Sequence, residues 1–146
     1  MPEIYGFVGP CSSLCKKINV DLPDEYKEFT MKVLMIINGS AYGLDSTYNA
    51  IRLAGSLAKR EDVELTLFLL GDGVTVAMAN QKTPDGYYQL DRMLAIVTRN
   101  GGAIQCCGTC MDARGITEEM LIAGSNRSTM EALTDATLAA DKVLVF

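Results

Sequence analysis

One short segment of the sequence concentrates the groups that could do chemistry. It runs from Cys106 to Gly115 and reads Cys-Cys-Gly-Thr-Cys-Met-Asp-Ala-Arg-Gly. A cysteine is a useful nucleophile only as thiolate, and a nearby cation or helix N-terminus lowers its pKa and favours that form. Arg114 is the only cation within this segment, and Cys110 follows Cys107 closely enough to close a disulfide or resolve a persulfide. The candidate catalytic residues are therefore Cys107, Cys110 and Arg114.

The same cysteines could serve only to fill the hydrophobic core. Free cysteine is among the most buried residue types, and an isolated CxxC spacing is a weak signal of chemistry. Because side chains alternate along a strand, Cys106 should point away from Cys107, and we favour a core position for Cys106. For Cys107 and Cys110, the spacing alone leaves the catalytic and the packing interpretations equally open.

The composition excludes several classes of function. No histidine is present, which removes Ser-His-Asp triads, Cys-His dyads and His-ligated zinc unless a partner chain supplies the imidazole. The formal net charge is −5, so we expect no direct binding to nucleic acid. No apolar run approaches the roughly 18 residues that cross a bilayer, so we expect no membrane insertion.

The cysteine content indicates a reducing compartment. There are five cysteines, an odd number that suits free thiols, and the first 30 residues lack the pattern of a signal peptide. We predict a cytoplasmic protein with reduced thiols. Cys11, Cys15, Cys107 and Cys110 could instead bind zinc or an Fe–S cluster, but their spacing is imperfect. We therefore expect no metal and no cofactor.

Strand and helix patterns alternate from Met31 onwards. Apolar runs of strand length cover residues 32–38, 63–70, 103–107 and 142–146, and helical patterns cover residues 45–58, 74–81, 90–97 and 128–140. A capping box, Ser128-Thr129-Met130-Glu131, opens the last of these helices. The repeated order of strand and helix predicts an α/β fold, a mostly parallel sheet with helices on both faces.

Residues 1–30 differ from the rest of the chain. They contain Pro2, Pro10 and Pro23 and show no persistent period. We predict an N-terminal arm over residues 1–30 and one α/β domain over residues 31–146. A start codon assigned upstream of the true one would explain the difference equally well.

In a parallel sheet, sites form beyond the carboxyl ends of the strands. Three loops qualify here, over residues 38–45, 71–74 and 107–115. The first carries glycines but matches neither GxGxxG nor a P-loop, so an ordinary turn is favoured over a phosphate cradle. We take the residues that line a substrate pocket to be Asn38, Gly39, Tyr42, Gly43, Asp72, Thr109 and Gly115.

These residues resemble the DsrE/DsrF-like family, most closely its YchN-like branch, over residues 31–146. The carriers of the resemblance are Asn38-Gly39, Tyr42-Gly43, Leu67-Phe68-Leu69, Asp72, Val74-Thr75, Gln81-Lys82, Gly86-Tyr87, the Cys107 to Ile116 segment and the closing Ala140 to Phe146 segment. The resemblance implies a three-layer flavodoxin-like fold with a five-stranded sheet, and a homotrimer or homohexamer. It also implies a role in sulfur relay, with Cys107 at the persulfide-carrying position.

The leading hypothesis is a sulfur carrier or sulfurtransferase that works between sulfur donor and acceptor proteins. Cys107 would accept a sulfur atom as persulfide, Cys110 would resolve it, and Arg114 would stabilise the anionic sulfur; thiol exchange needs no histidine base. Two alternatives stay open: a non-catalytic oligomeric module that binds a ligand or a metal through cysteines, and a thiol–disulfide oxidoreductase.

Overall fold

The computed structural model describes residues 30–146 as one α/β domain. The strands are β1 (Met31–Ile37), β2 (Val63–Leu69), β3 (Ala103–Cys107), β4 (Ser125–Ser128) and β5 (Lys142–Val145). The α-helices are α1 (Asp45–Leu57), α2 (Leu90–Arg99), α3 (Gly108–Asp112) and α4 (Met130–Ala139), and 3₁₀ helices span Gly71–Ala77 and Glu118–Met120. The predicted arm, with Cys11 and Cys15, lies outside the described residues except for Thr30.

The five strands form a single sheet in the order β4-β3-β2-β1-β5, and every pair in it is parallel. The chain moves outward from β1 to β4 and then returns past α4 to place β5 beside β1. All strands therefore end at the same edge, where the loops after β1, β2 and β3 meet. The predicted α/β fold is confirmed.

Helices cover both faces of the sheet. The side chains of Met35, Leu67 and Cys106 are fully buried on the face where α1 contacts β1 and β2, and α2 contacts β3. On the other face α4 runs beside a groove of about 390 Å³, whose floor includes Thr66 and Gln105. The apolar runs of β1 and β2 are explained by this double coverage, which is usual for parallel strands.

Several local features differ from the sequence-based expectation. The helix predicted over residues 74–81 is instead a 3₁₀ helix over Gly71–Ala77. β4 was not located, because its four residues are polar, mostly exposed and show no apolar period; backbone pairing with β3 defines it. The N-cap of α4 lies one residue later than the capping box predicts: Thr129, not Ser128, accepts the bond from the Ala132 N–H, at 3.3 Å. Ser128 Oγ instead bonds Gln105 Oε1 across the sheet at 3.0 Å.

The loop after β2 packs tightly against the end of β1. A Cβ atom on Gly73 would lie 2.1 Å from the Ile37 carbonyl oxygen, so only glycine fits. Its N–H is directed at the Asn38 and Leu70 carbonyls, at 3.1 and 2.8 Å. This contact fixes the preceding residue, Asp72, at the edge where β3 also ends.

Within residues 30–146, none of the helices combines the length and the apolar character needed to span a membrane.

Candidate functional site

Cys107 lies at the junction of β3 and α3. It is the last residue of the strand and the N-cap position of a five-residue helix, so Cys110 follows one turn later. Cys107 is only 5% exposed, and its Sγ lies 3.3 Å from Thr109 Oγ1. The junction therefore places two thiols together at the carboxyl edge of the sheet.

The hydrogen bonds around Cys107 favour its thiolate form. Burial alone raises the pKa of the Cys107 thiol, but hydrogen bonds from the Cys110 and Thr109 side chains and from their backbone N–H groups outweigh it. The net pKa of Cys107 is lowered from the usual value. Donors directed at a sulfur stabilise its charged form more than its neutral form.

The pKa of Cys110, in contrast, is raised above its usual value. Burial and the hydrogen bond to Cys107 raise its pKa, and the charge of Cys107 adds to that; the Gly71 N–H and the Arg114 charge act against them. The Gly71 N–H donates to Cys110 Sγ at 3.2 Å. At neutral pH the pair consists of a more acidic Cys107 and a less acidic, half-buried Cys110.

Arg114 is hydrogen-bonded to Cys110 and to the loop after β2. Its Nε and Nη2 donate to Asp72 Oδ1 at 3.0 and 2.6 Å, and its Nη1 donates to the Cys110 carbonyl at 2.9 Å. The structure therefore brings Arg114, Asp72 and Thr109 together with the two cysteines. The cysteine whose pKa the Arg114 charge lowers is Cys110.

A second guanidinium, which is not among the predicted site residues, lies beside Gly108, the residue that follows Cys107. Arg127 of β4 forms a two-bond ion pair with Asp112, at 2.8 and 2.6 Å. A Cβ atom on Gly108 would lie 2.8 Å from Arg127 Nε, so the guanidinium occupies the space that this glycine leaves open. The Asp112 hydrogen bond is the main cause that raises the pKa of Arg127, and the charge of Cys107 contributes a smaller part.

The sequence held one indirect signal of this arrangement. Gly108 follows the candidate nucleophile directly, and a glycine at such a position often marks a close approach by another group. The identity of that group could not be read from the sequence, because β4 lacks a strand pattern and Arg127 is far along the chain from Cys107.

Cys106 is part of the core, as expected. Its side chain is fully buried on the face opposite Cys107, and burial raises its pKa to about 12. It is therefore held as the neutral thiol.

The predicted pocket residues of the first loop, residues 38–45, make structural contacts with neighbouring elements. The Asn38 N–H donates to the Phe146 carbonyl at 2.8 Å, and a Cβ atom on Gly39 would lie 2.3 Å from Thr47 Oγ1. Tyr42 Oη donates to Gln81 and accepts from the Leu90 N–H, at 2.5 and 3.3 Å. These contacts join the loop to the residue after β5, to α1 and to the start of α2.

The two remaining pocket glycines lie at turns. Gly43 and Gly115 have φ angles of 91° and 64°, in the region that favours glycine. Gly115 follows α3, and its N–H bonds the Asp112 carbonyl at 3.1 Å. Gly115 thus ends the segment that carries the cysteines, whereas Gly43 precedes α1 in the first loop.

No group of three or more Cys, Asp or Glu side chains within residues 30–146 is arranged to hold a metal ion. The four-cysteine site considered above includes Cys11 and Cys15, which lie outside this range.

Comparison with known proteins identifies relatives that span the same domain. The family model described as the DsrE/DsrF-like family matches residues 31–146. The protein YchN of Escherichia coli K12 is 40% identical over 116 residues, which is 79% of this chain and 98% of YchN. The uncharacterized protein MJ0989 of Methanocaldococcus jannaschii is 35% identical over 116 residues, 80% of this chain and all of that protein.

Solved structures show the same fold. The crystal structure of the E. coli ychN protein superposes with a TM-score of 0.75 at 40% identity and covers 80% of this chain and 100% of that one. The protein MTH1491 from Methanobacterium thermoautotrophicum gives a TM-score of 0.60 at 14% identity, covering 78% of this chain and 98% of that one. At that identity the second likeness concerns the fold alone.

Proposed function

This chain belongs to the DsrE/DsrF-like family, and we propose that it is a sulfur carrier that holds a persulfide on Cys107 in intracellular sulfur relay or sulfur oxidation. The observation that carries the proposal is the hydrogen bonding at Cys107, which favours the thiolate in spite of burial. Membership of a family associated with sulfur relay agrees with that chemistry.

The transfer step requires only the thiolate. Cys107 Sγ attacks the outer sulfur of a donor persulfide, a new S–S bond forms on Cys107, and the S–S bond of the donor breaks. The donor thiolate leaves with the electron pair of that bond, so no acid or base catalyst is needed. An acceptor thiolate then removes the outer sulfur by the same exchange, and Cys107 returns to the thiolate.

The proposal includes partners and location. The donor and the acceptor are proteins that present a persulfide and a thiol, respectively. The chain works in the cytoplasm as a homotrimer or homohexamer, as its family resemblance implies. Arg114 and Asp72 hold Cys110, and Arg127 and Asp112 hold the segment beside Cys107.

A non-catalytic role as a ligand-binding oligomer is the second candidate. The low exposure of Cys107 favours it, because a thiol that is 5% exposed can also be a packing residue. A reactivity test on Cys107 separates the two candidates directly.

We predict that Cys107 gains one sulfur atom from a small-molecule persulfide. The reduced protein and the variants Cys107→Ser and Cys110→Ser are treated with cysteine persulfide, desalted and measured by intact mass and peptide mapping. We expect the added sulfur on Cys107 in Cys110→Ser and none at position 107 in Cys107→Ser. If Cys110→Ser gains no sulfur, or if Cys107→Ser gains as much, the proposal is wrong. Circular dichroism establishes that each variant is folded.

A further inference from the structure

We propose that the Cys107–Cys110 pair also reduces the sulfur atom that it accepts and releases it as hydrosulfide. This further activity rests on the proposed function, because a persulfide has to form on Cys107 first. Cys110 then acts as an internal thiol that competes with the external acceptor.

The two thiols are close enough for this reaction. Cys107 and Cys110 are separated by one turn at the β3–α3 junction, and they lie close enough for each to shift the pKa of the other. Side chains three residues apart on a helical turn are direct neighbours. An S–S bond between them needs a change of side-chain rotamers rather than a change of fold.

Cys110 is held as an attacking group rather than as a packing residue. The Gly71 N–H donates to its Sγ at 3.2 Å, and Arg114 Nη1 donates to its carbonyl at 2.9 Å, with Asp72 bound to the same guanidinium. A sulfur that only fills space needs neither contact. Both the amide and the cation stabilise the charge that Cys110 carries when it attacks.

Persulfide formation on Cys107 weakens the charge repulsion that opposes ionisation of Cys110. In the resting state the negative charge on Cys107 Sγ opposes ionisation of Cys110. In the persulfide the charge lies mainly on the outer sulfur, one S–S bond farther away, so the repulsion falls while the Gly71 and Arg114 contacts stay. Loading Cys107 therefore makes Cys110 a better nucleophile.

The low exposure of Cys107 favours an internal attack on its inner sulfur. Cys107 is only 5% exposed, so an external thiol reaches it poorly, whereas Cys110 lies one helical turn away. Cys110 Sγ attacks Cys107 Sγ, the new intramolecular S–S bond forms, and the bond to the outer sulfur breaks. The proton that the Cys110 thiol loses passes to the outer sulfur, which leaves with the electron pair as HS⁻. Two cysteine sulfurs are oxidised, one sulfane sulfur is reduced, and an external dithiol must reduce the disulfide before the next cycle.

The test measures sulfide and disulfide after a single loading. Native protein and Cys110→Ser are reduced, treated with cysteine persulfide, desalted, and incubated without any other thiol. We expect native protein to release one HS⁻ for each Cys107–Cys110 disulfide found by peptide mapping. We expect Cys110→Ser to keep the persulfide on Cys107 and to release HS⁻ on the order of tenfold more slowly, because the attack is no longer intramolecular. Cys110→Ala, which lacks any nucleophile, should behave like Cys110→Ser.

Failure of this inference is distinct from failure of the proposed function. If Cys110→Ser loads normally and native protein keeps its persulfide without a disulfide, the carrier function stands and sulfide release is refuted. If native protein moves the sulfur to Cys110 and releases no HS⁻, attack occurs at the outer sulfur and the inference is also refuted. If no variant with Cys107 loads, the carrier proposal itself fails.

Discussion

Each cysteine of the pair has one guanidinium group nearby. Arg114, held by Asp72, contacts Cys110, while Arg127, held by Asp112, lies over the residue that follows Cys107. Each ion pair is partly exposed, so its net contribution to folding stability is small. Their more important effect is to place a positive charge near each sulfur.

We expect Arg127→Gln to raise the pKa of Cys107, because a cation near a thiolate favours the charged form. The rise should be small, since hydrogen bonds from Cys110 and Thr109 are what lower the pKa of Cys107. Gly108→Ala should act in the same direction by displacing the guanidinium. The measurement is the pH dependence of Cys107 alkylation, followed by peptide mapping.

The control for this prediction is Arg52→Gln, which removes an exposed arginine that lies over Tyr48, in α1. It should leave the alkylation profile of Cys107 unchanged. The opposite assignment follows if Arg127→Gln has no effect and Arg114→Gln raises the pKa of Cys107.

At the scale of elements, short junctions decide where the chemistry lies. The five-residue α3 turns the chain directly after β3, so that Cys107 and Cys110 both stay at the edge of the sheet. β4 supplies Arg127 through backbone pairing with β3, in which Cys106 and Arg127 are partners in register. The longer α4 returns the chain to β5 and depends on its own N-cap at Thr129.

We predict that Thr129→Ala lowers the free energy of unfolding by about 1 kcal/mol, because the Ala132 N–H loses its acceptor at the start of α4. Thr134→Ala is the matched control. The Thr134 hydroxyl bonds only the Met130 carbonyl of its own helix and is exposed, and alanine is the better helix former, so its effect should be near zero. Urea unfolding measures both; equal losses would contradict the assignment of the cap.

At the scale of the whole molecule, apolar side chains of α4 and of the edge strand β5 are exposed within residues 30–146. Leu138 of α4 is 82% exposed, and Val145 of the edge strand β5 is 64% exposed. Exposed apolar side chains on an edge strand and its neighbouring helix are typical of surfaces that are covered by another chain. This surface agrees with the assembly that the family resemblance implies.

We therefore expect the protein to sediment as three or six copies of its 15.8 kDa chain. Sedimentation velocity over a range of concentrations, on reduced protein, measures the mass. Oxidation of Cys107 and Cys110 is the relevant control, because an intermolecular disulfide would produce a false assembly. A monomer at every concentration would refute the proposed trimer or hexamer.

The sequence by itself determined the fold class, the family and the segment that carries the thiols. Uninterrupted apolar runs such as residues 63–70 are set by local composition, and a parallel sheet is the fold that buries them on both faces. Alternation along β3 was enough to separate Cys106 from Cys107, because the strand period depends on backbone geometry alone.

Only the tertiary structure decided which guanidinium group lies near which cysteine sulfur. Arg114 is closest to the cysteines along the chain, yet its partners are Asp72 and Cys110, while Arg127 reaches Gly108 from a strand without an apolar pattern. Electrostatic effects depend on distances in space, and pairing of distant segments sets those distances. A polar edge strand gives no periodic signal, so its pairing with β3, and the cation that it brings, could be seen only in the folded chain.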